Sequence, residues 1–329
     1  MKPLRIGLAY NVKRAHGDDE AEYDSPETIE SIRNVLESLG HLVISLEALP
    51  NLVEKLEKSG VDLVFNIAEG TYGRNREAHI PALLEFLAIP FTGSDSATMM
   101  LTLDKALTKK IVRFAGVNTP NYKLLRGSSD KLRAGMQFPL MVKPNAEGSS
   151  KGIFDDSVVT DMAGMWSKVH HINDHYKQPA LVEEFLPGRE FTVGLIGNGD
   201  HVRVLPIMEI EFMEKNIPFN TYNFRVKQDW KTAVRYIVPA DITPQLKTEM
   251  EEMSLKTFRH LMCRDCARID IRLDSTGKPH LMEVNPLPGL SPGYSDLVFI
   301  AEAAGMTHAD LVREILENAV KRYFLDRAD

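Results

Sequence analysis

Apolar runs and amphipathic stretches alternate from the start of the chain. LRIGLAYN, beginning at Leu4, reads as a buried strand. SPETIESIRNVLESLG then reads as a helix, with Ser25 as N-cap, Pro26 in the first helical position and Gly40 beyond the C-terminus. Its apolar residues Ile29, Ile32, Leu36 and Leu39 keep helical spacing. HLVISLEAL, a helix near 51–58, VDLVFNIAE and a helix near 76–88 continue the alternation. Such a repeat predicts an open parallel sheet of Rossmann-like kind, with ligands beyond the C-terminal ends of its strands. One long helix, roughly 95–115, is predicted to end at Gly116.

From 117 the pattern changes. TPNYKLL, FPLMVKPN, KGIFD and ALVEEFL predict antiparallel strands, with a helix near 160–175 between them. Strands at 190–196, 202–210 and 234–238 and a helix at 244–262 follow. The segment 211–233 is polar, irregular and rich in aromatics, which predicts a mobile loop. YSDLVFIAEAAG and HADLVREILENAVKRYF read as closing helices.

The richest chemistry lies in ARIDIRLDSTGKPHLMEVNPLPG, residues 267–289. Arg268, Asp270 and Arg272 alternate with Ile269, Ile271 and Leu273; after a turn, Glu283 and Asn285 alternate with Met282 and Val284. Period-2 alternation gives one polar and one core face. With Thr276-Gly277 as a two-residue turn, Asp270 lies opposite Glu283 and Arg268 opposite Asn285. The same register pairs Ile269 with Val284 and Ile271 with Met282. Two carboxylates and an amide then converge as hard oxygen donors suited to Mg²⁺, which points to a nucleotide phosphate. The plainer reading is a solvated face with Arg268 as counter-charge, because opposed carboxylates require one.

Composition narrows the classes. The 329 residues are 43% hydrophobic and 26% charged, an ordinary globular balance with room for two or three packed units. A net charge of -7 without a basic run argues against a nucleic-acid partner. No apolar run is long enough for a signal peptide or a membrane span, so a cytoplasmic location without a membrane partner is expected. Cys263 and Cys266 form a lone C-x-x-C without enough zinc ligands, and read as packing residues.

Two further segments carry candidate chemistry. In FPLMVKPNAEGSSKGI, a strand ends at Lys143-Pro144 and leads into Glu147-Gly148-Ser149-Ser150, a turn able to offer amides and hydroxyls to phosphate. In LVEEFLPGREFTVGLI, a strand delivers Glu183, Glu184 and Leu186, and Glu190 opens the next strand, free for ribose hydroxyls. Taken alone, these are a plain hairpin turn and an acidic turn.

Together with TGS at 92–94, Asp104-Lys105 and EVNPLPGLSPGYSD, these segments resemble the ATP-grasp ligases of the D-alanine–D-alanine ligase family over nearly the whole chain. The resemblance implies a mixed α/β and α+β, ATP-grasp fold. It would comprise a Rossmann-like parallel-sheet domain at 1–104, a small central antiparallel domain at 105–190 and a larger α+β domain at 191–329. It implies that Lys105, Lys143 and Ser150 serve ATP phosphates, that Glu183, Glu184 and Leu186 hold adenine, and that Glu190 holds ribose. Asp270, Glu283 and Asn285 would bind one or two Mg²⁺, with Mn²⁺ as a substitute. Arg268 and the Gly289 amide would stabilise an oxyanion, Ser149 would lie on the closing loop, and Lys227 would match a lysine of the lid. The implied chemistry is acyl-phosphate formation from an amino-acid or peptide carboxylate, then attack by an amine beneath the 211–233 lid. A homodimer is implied by the resemblance alone.

Three departures fall on the amino-acid site. The family's N-terminal glycine-serine segment and glutamate are replaced by NVKRAHGDDEAEYDSPE, with Glu27 as stand-in. Its His-Gly turn is Glu69-Gly70 here, followed by a longer GRNREAH, and its lid tyrosine is Gln228. These changes suggest substrates other than two D-alanines, with Glu69 meeting a cationic group and Arg74 or Arg76 an extra carboxylate. Ser295 and neighbouring amides at a helix N-terminus favour a carboxylate of the second substrate. The competing readings are an ester-forming ligase and a nucleotide-binding regulatory protein without turnover.

Overall fold

In the computed structural model, which describes residues 2–14, 20–213, 219–223, 226 and 229–324, the first apolar run is β1 (Arg5–Tyr10), centre of a parallel sheet. β2 (Leu42–Glu47) and β3 (Leu63–Asn66) flank it, and a parallel bridge joins Val64 to Phe91. Helices α1 (Pro26–Ser38), α2 (Leu52–Ser59) and α3 (His79–Phe86) connect the strands as the periodicity predicts. The Ser25 hydroxyl accepts from the Thr28 amide at 3.3 Å and Gly40 has φ +87°, so both ends of α1 follow their local signals.

The helix expected over 95–115 is two helices, α4 (Ser96–Leu103) and α5 (Lys105–Phe114). Asp104 between them is extended, and its carboxylate caps α5 at the Leu107 amide, 3.0 Å away. Asn145 fixes the bend by accepting from the Lys105 amide (3.1 Å) and, through Oδ1, from the Ala106 amide (3.0 Å). A continuous helix would carry Lys105 away from the glycine-serine loop; the break turns it inward.

β4 (Tyr122–Leu125), β5 (Leu140–Pro144), β6 (Val158–Val159) and β7 (Ala180–Glu184) form an antiparallel sheet in the order β4-β7-β5-β6, backed by α6 (Met162–His175). KGIFD is not a strand. The chain turns through Gly152 at φ +77° into a 3-10 turn at Asp155–Ser157, so the pairing falls to the short β6.

The third sheet runs β11-β10-β8-β12-β13, with β9 beside β8. Its strands are β8 (Glu190–Ile196), β9 (Arg203–Val204), β10 (Met208–Phe212), β11 (Val234–Ile237), β12 (Cys266–Leu273) and β13 (Pro279–Asn285). The strand expected over 202–210 breaks at Pro206, which cannot donate to a ladder. The expected loop at 211–233 is narrower, because Glu211 and Phe212 extend β10 and Trp230–Ala233 form a one-turn helix, α7. Phe191, Val193, Leu195, Ile269, Ile271 and Val284 pack against α8 (Pro244–His260), leaving the alternate side chains to face the cleft. On the other side, α9 (Asp296–Ala303) and α10 (His308–Phe324) share a core with α1 and β1. Cys263 and Cys266 are free and buried in these cores; burial pushes the Cys263 thiol up to about 12 and Cys266 higher still. They are packing residues.

The TGS segment has a structural use. Thr92 accepts from the Asn66 amide, Gly93 donates to Asp265, and Ser94 accepts from the Arg264 amide. Asp265 is fully buried and also receives Arg322 and Asn198, each at 2.7 Å. One carboxylate thus ties the parallel sheet to β12 and α10. Asp265→Ala strands Arg322 and the Gly93 amide, and should lower stability by about 3 kcal/mol or more. Urea unfolding checks this, and an unchanged midpoint would show that the clamp contributes nothing.

Candidate active site

The hairpin face forms as its alternation predicts. Arg268 pairs with Asn285, Ile269 with Val284 and Asp270 with Glu283. The turn differs: Leu273 pairs with Pro279, and Gly277 at φ +85° closes a longer loop. That shift would put Asp270 out of register, but a bulge at Met282 restores it. Ile271 consequently faces Leu281 rather than Met282, and Met282 lines the cleft.

Each opposed carboxylate has its own cation. Asp270 accepts from Arg268 Nε and Nη2 at 3.0 Å each, from Asn285 at 3.0 Å and from Thr192 at 2.7 Å. Burial opposes its charge, yet Arg268 and these donors hold it below the usual carboxylate range. Glu283 lies 3.3 Å from Lys105 Nζ, which also donates to the Glu147 carbonyl. Arg268 reaches beyond Asp270 to Asp296 of α9, at 3.3 Å.

Lys143, at the end of β5, meets Glu183 of β7 at 2.6 Å, and Lys109 meets the same carboxylate at 3.0 Å. Burial works against the charge of Glu183, but the two lysines hold its pKa down at about 2, while burial pulls Lys109 down to about 8. The carboxylate expected at adenine is therefore engaged by lysines. Glu184 points the other way, accepting from Asn121 at 3.1 Å. Leu186 is buried outside the cleft lining, and Glu190, expected free, lines the cleft but pairs with Arg272 at 2.9 Å.

The glycine-serine loop closes on its surroundings. Ser149 and Ser150 have φ of +49° and +58°, left-handed values that cost a non-glycine residue energy and cluster at functional sites. Ser150 Oγ donates to the Tyr222 carbonyl at 2.9 Å, and the Gly148 amide donates to Glu22 at 2.7 Å. A Cβ on Gly148 would come within 2.6 Å of that carboxylate, so a side chain here would have to displace Glu22.

Lys105, Lys143, Ser150, Arg268, Asp270 and Glu283 line one cleft of ≈ 420 Å³. At one end stand Glu22, Asp24, Glu69 and Glu77. Arg76 is salt-bridged to Glu22 and, at 3.4 Å, to Glu147. Glu69 is pushed well above the carboxylate range by burial and by repulsion from Glu77 and Glu22; Glu77 rises to about 8 and Asp24, through burial, to about 7. Glu27 is exposed on α1 and lies outside the lining, so Glu22 and Asp24 occupy the place expected for it. Arg74 also points out, on Asp104 at 3.0 Å. At the other end, Gly289 and Ser295 line the cleft; Ser295 Oγ accepts from the Ser291 amide at 2.9 Å and would meet a Cβ on Gly289 at 2.8 Å. Lys227 and Gln228 lie outside the described residues.

Sequence reasoning missed Lys109, Asn145 and Asp296, and gave Arg272 a place on the polar face but no partner. Lys109 had a signal, since it lies four residues after Lys105 on the same helix face. Asn145 gave none, because its contacts join distant segments.

The three sheets and the cleft they bound define an ATP-grasp enzyme. Two solved ligases share the fold: a D-alanine–D-alanine ligase from Bacillus anthracis complexed with ATP (TM-score 0.77, 24% identity, covering 97% of this chain and 98% of that one) and the VanG D-Ala:D-Ser ligase from Enterococcus faecalis (0.76, 18%, 97% and 100%). The chain belongs to the D-alanine–D-alanine ligase family: the family model described as D-ala D-ala ligase C-terminus matches residues 105–317. A D-alanine–D-alanine ligase of Pelotomaculum thermopropionicum is 31% identical over 307 residues, 90% of this chain and 92% of that one. An uncharacterized protein of Sinorhizobium fredii is 38% identical over 311 residues, 90% and 88%. The protein is an ATP-dependent ligase that forms C–N bonds.

Because Glu183 is held far below its ordinary value near 4.5, its ion pairs contribute stability that is complete above pH 4.5 and lost as the pH falls toward 2. The pH-dependent part is on the order of 3 kcal/mol. Glu183→Gln should flatten the acid limb of the stability–pH curve between those values, and an unaltered limb would mean that other carboxylates set it.

Proposed function

We propose that the cleft uses ATP to phosphorylate the carboxylate of an amino-acid or peptide donor, and then joins that acyl group to an amine, with substrates other than two D-alanines. The observation that carries this reading is the hairpin register, which sets Asp270 against Glu283 with Arg268 and Asn285 beside them. Asp270, Glu283 and Asn285 offer hard oxygens. Among the described residues, no three His, Cys, Asp or Glu side chains cluster as a metal site, so an ion here would complete its shell from phosphate and water, as Mg²⁺ commonly does. One or two Mg²⁺ held there, or Mn²⁺ in its place, would neutralise charge on the transferring phosphoryl group.

Lys105 and Lys143 neutralise phosphate oxygens from the side of the glycine-serine loop, with phosphate competing against Glu183 for Lys143. The end of β7 at Glu183–Leu186 takes adenine through its backbone, and Glu190, backed by Arg272, takes the ribose. Arg268 and the Gly289 amide hold the oxyanion as the amine attacks. The contacts of Ser150 with Tyr222 and of Gly148 with Glu22 exclude water, on which an acyl phosphate depends. Glu69 and Glu77 face the donor end, and favour a donor bearing a cationic group. The three units divide at 104 and 190, and the enzyme works as a cytoplasmic homodimer.

The test is ADP release from Mg-ATP across pairs of D- and L-amino acids, dipeptides, amines and hydroxy acids. Asp270→Asn should reduce release on the order of a hundredfold, the scale of losing one preorganised charged group. Near-normal release from that variant would remove the hairpin face from catalysis.

A further inference from the structure

The acceptor end of the cleft carries a charge and a wall that differ from the carboxylate site expected at Ser295. Asp296 lies in the first turn of α9, one residue beyond that serine. Its carboxylate is 3.3 Å from Arg268 Nη1 and receives a hydrogen bond from Tyr236. Arg268 is already bonded to Asp270 through Nε and Nη2, so one guanidinium stands between two carboxylates. These three side chains together carry one negative charge, and Asp296 is the carboxylate not assigned to a metal. An acidic side chain in a first turn also complements the positive end of its helix, and lessens the pull of α9 on a substrate anion.

Aromatic rings complete the wall. Trp230 stacks on Tyr236 at 5.4 Å and 14°, and the Tyr222 and Tyr236 hydroxyls are 2.7 Å apart. Tyr222, Trp230, Tyr236 and Asp296 all line the cleft together with Arg268. Ring faces and a carboxylate attract an ammonium group and shelter an apolar body; they repel a second carboxylate.

Building on the ligase reading above, we propose that Asp296 and this aromatic wall form the acceptor subsite, and that they select a primary amine on an apolar body with no carboxylate next to the nitrogen. The amine enters as ammonium, held by Asp296 beside Arg268, where the oxyanion forms. Asp296 takes one proton from the ammonium, the free amine adds to the acyl carbon to give the tetrahedral oxyanion, and that species collapses as the acyl–oxygen bond breaks; phosphate departs with that oxygen and with the second proton from nitrogen.

The experiment separates the two readings. Donors are first found on the wild-type enzyme with Mg-ATP and hydroxylamine, which traps any acyl phosphate as a hydroxamate. With a donor in hand, phenethylamine is compared with phenylalanine, and isoamylamine with leucine. The expected result is at least a tenfold higher kcat/KM for the decarboxylated member, a ratio that collapses toward one in Asp296→Asn. Trp230→Ala, on a one-turn helix at the cleft mouth, should raise KM for phenethylamine about tenfold with a smaller change in kcat, whereas loss of mere support for Arg268 would lower kcat. Hydroxamate formation with equal or better use of the amino acids would overturn the inference and leave the ligase standing. No hydroxamate with any donor would overturn both.

Discussion

Two carboxylates directly opposite each other on neighbouring strands repel, and the cleft is organised around satisfying that pair. Asp270 is balanced by Arg268, and Glu283 by Lys105, which reaches it only because the helix breaks at Asp104. The arrangement depends on a single-residue irregularity. Without the bulge at Met282, the longer turn would shift Glu283 to the other face of the sheet and put an apolar side chain opposite Asp270. The bulge thus preserves a polar face that gathers charges from three parts of the chain.

The ends of the cleft divide the work of recognition. On the ligase reading proposed above, Lys105 on Glu283 and Lys143 on Glu183 would meet ATP phosphates, while Lys109 shares Glu183 with Lys143. One end of the cleft is acidic through Glu22, Asp24, Glu69 and Glu77, where the donor is proposed to bind, and the end proposed for the acceptor is acidic and aromatic. A membership shared with D-alanine–D-alanine ligases therefore leaves wide room for different amines and acids, because on this reading the strands proposed to serve ATP are not the segments proposed to face them.

Much of the site was legible where a signal is local. The alternation around Asp270, the capping of α1 and the loop from Lys143 to Ser150 follow from neighbouring residues alone. Contacts between distant segments were not legible. Nothing near Glu27 shows that Glu22 rather than Glu27 turns inward; that follows from Arg76 and the Gly148 amide, some 54 and 126 residues away. Arg74 and Arg76 are neighbours in sequence, yet only Arg76 is buried, because the 3-10 turn at Arg76–Ala78 points it at the loop. TGS carried part of the family resemblance, and its use in the fold is to hold the sheets together: the Gly93 amide donates to Asp265 and the Ser94 hydroxyl accepts from the Arg264 amide.

The central claim is that this cleft activates a carboxylate by transferring phosphate to it. It is tested most directly by turning over a productive substrate pair with ¹⁸O in the donor carboxylate and following the label by mass spectrometry. The account predicts one ¹⁸O in inorganic phosphate for each amide formed, with none in AMP. Label in AMP, or product formed with unlabelled phosphate, would contradict it.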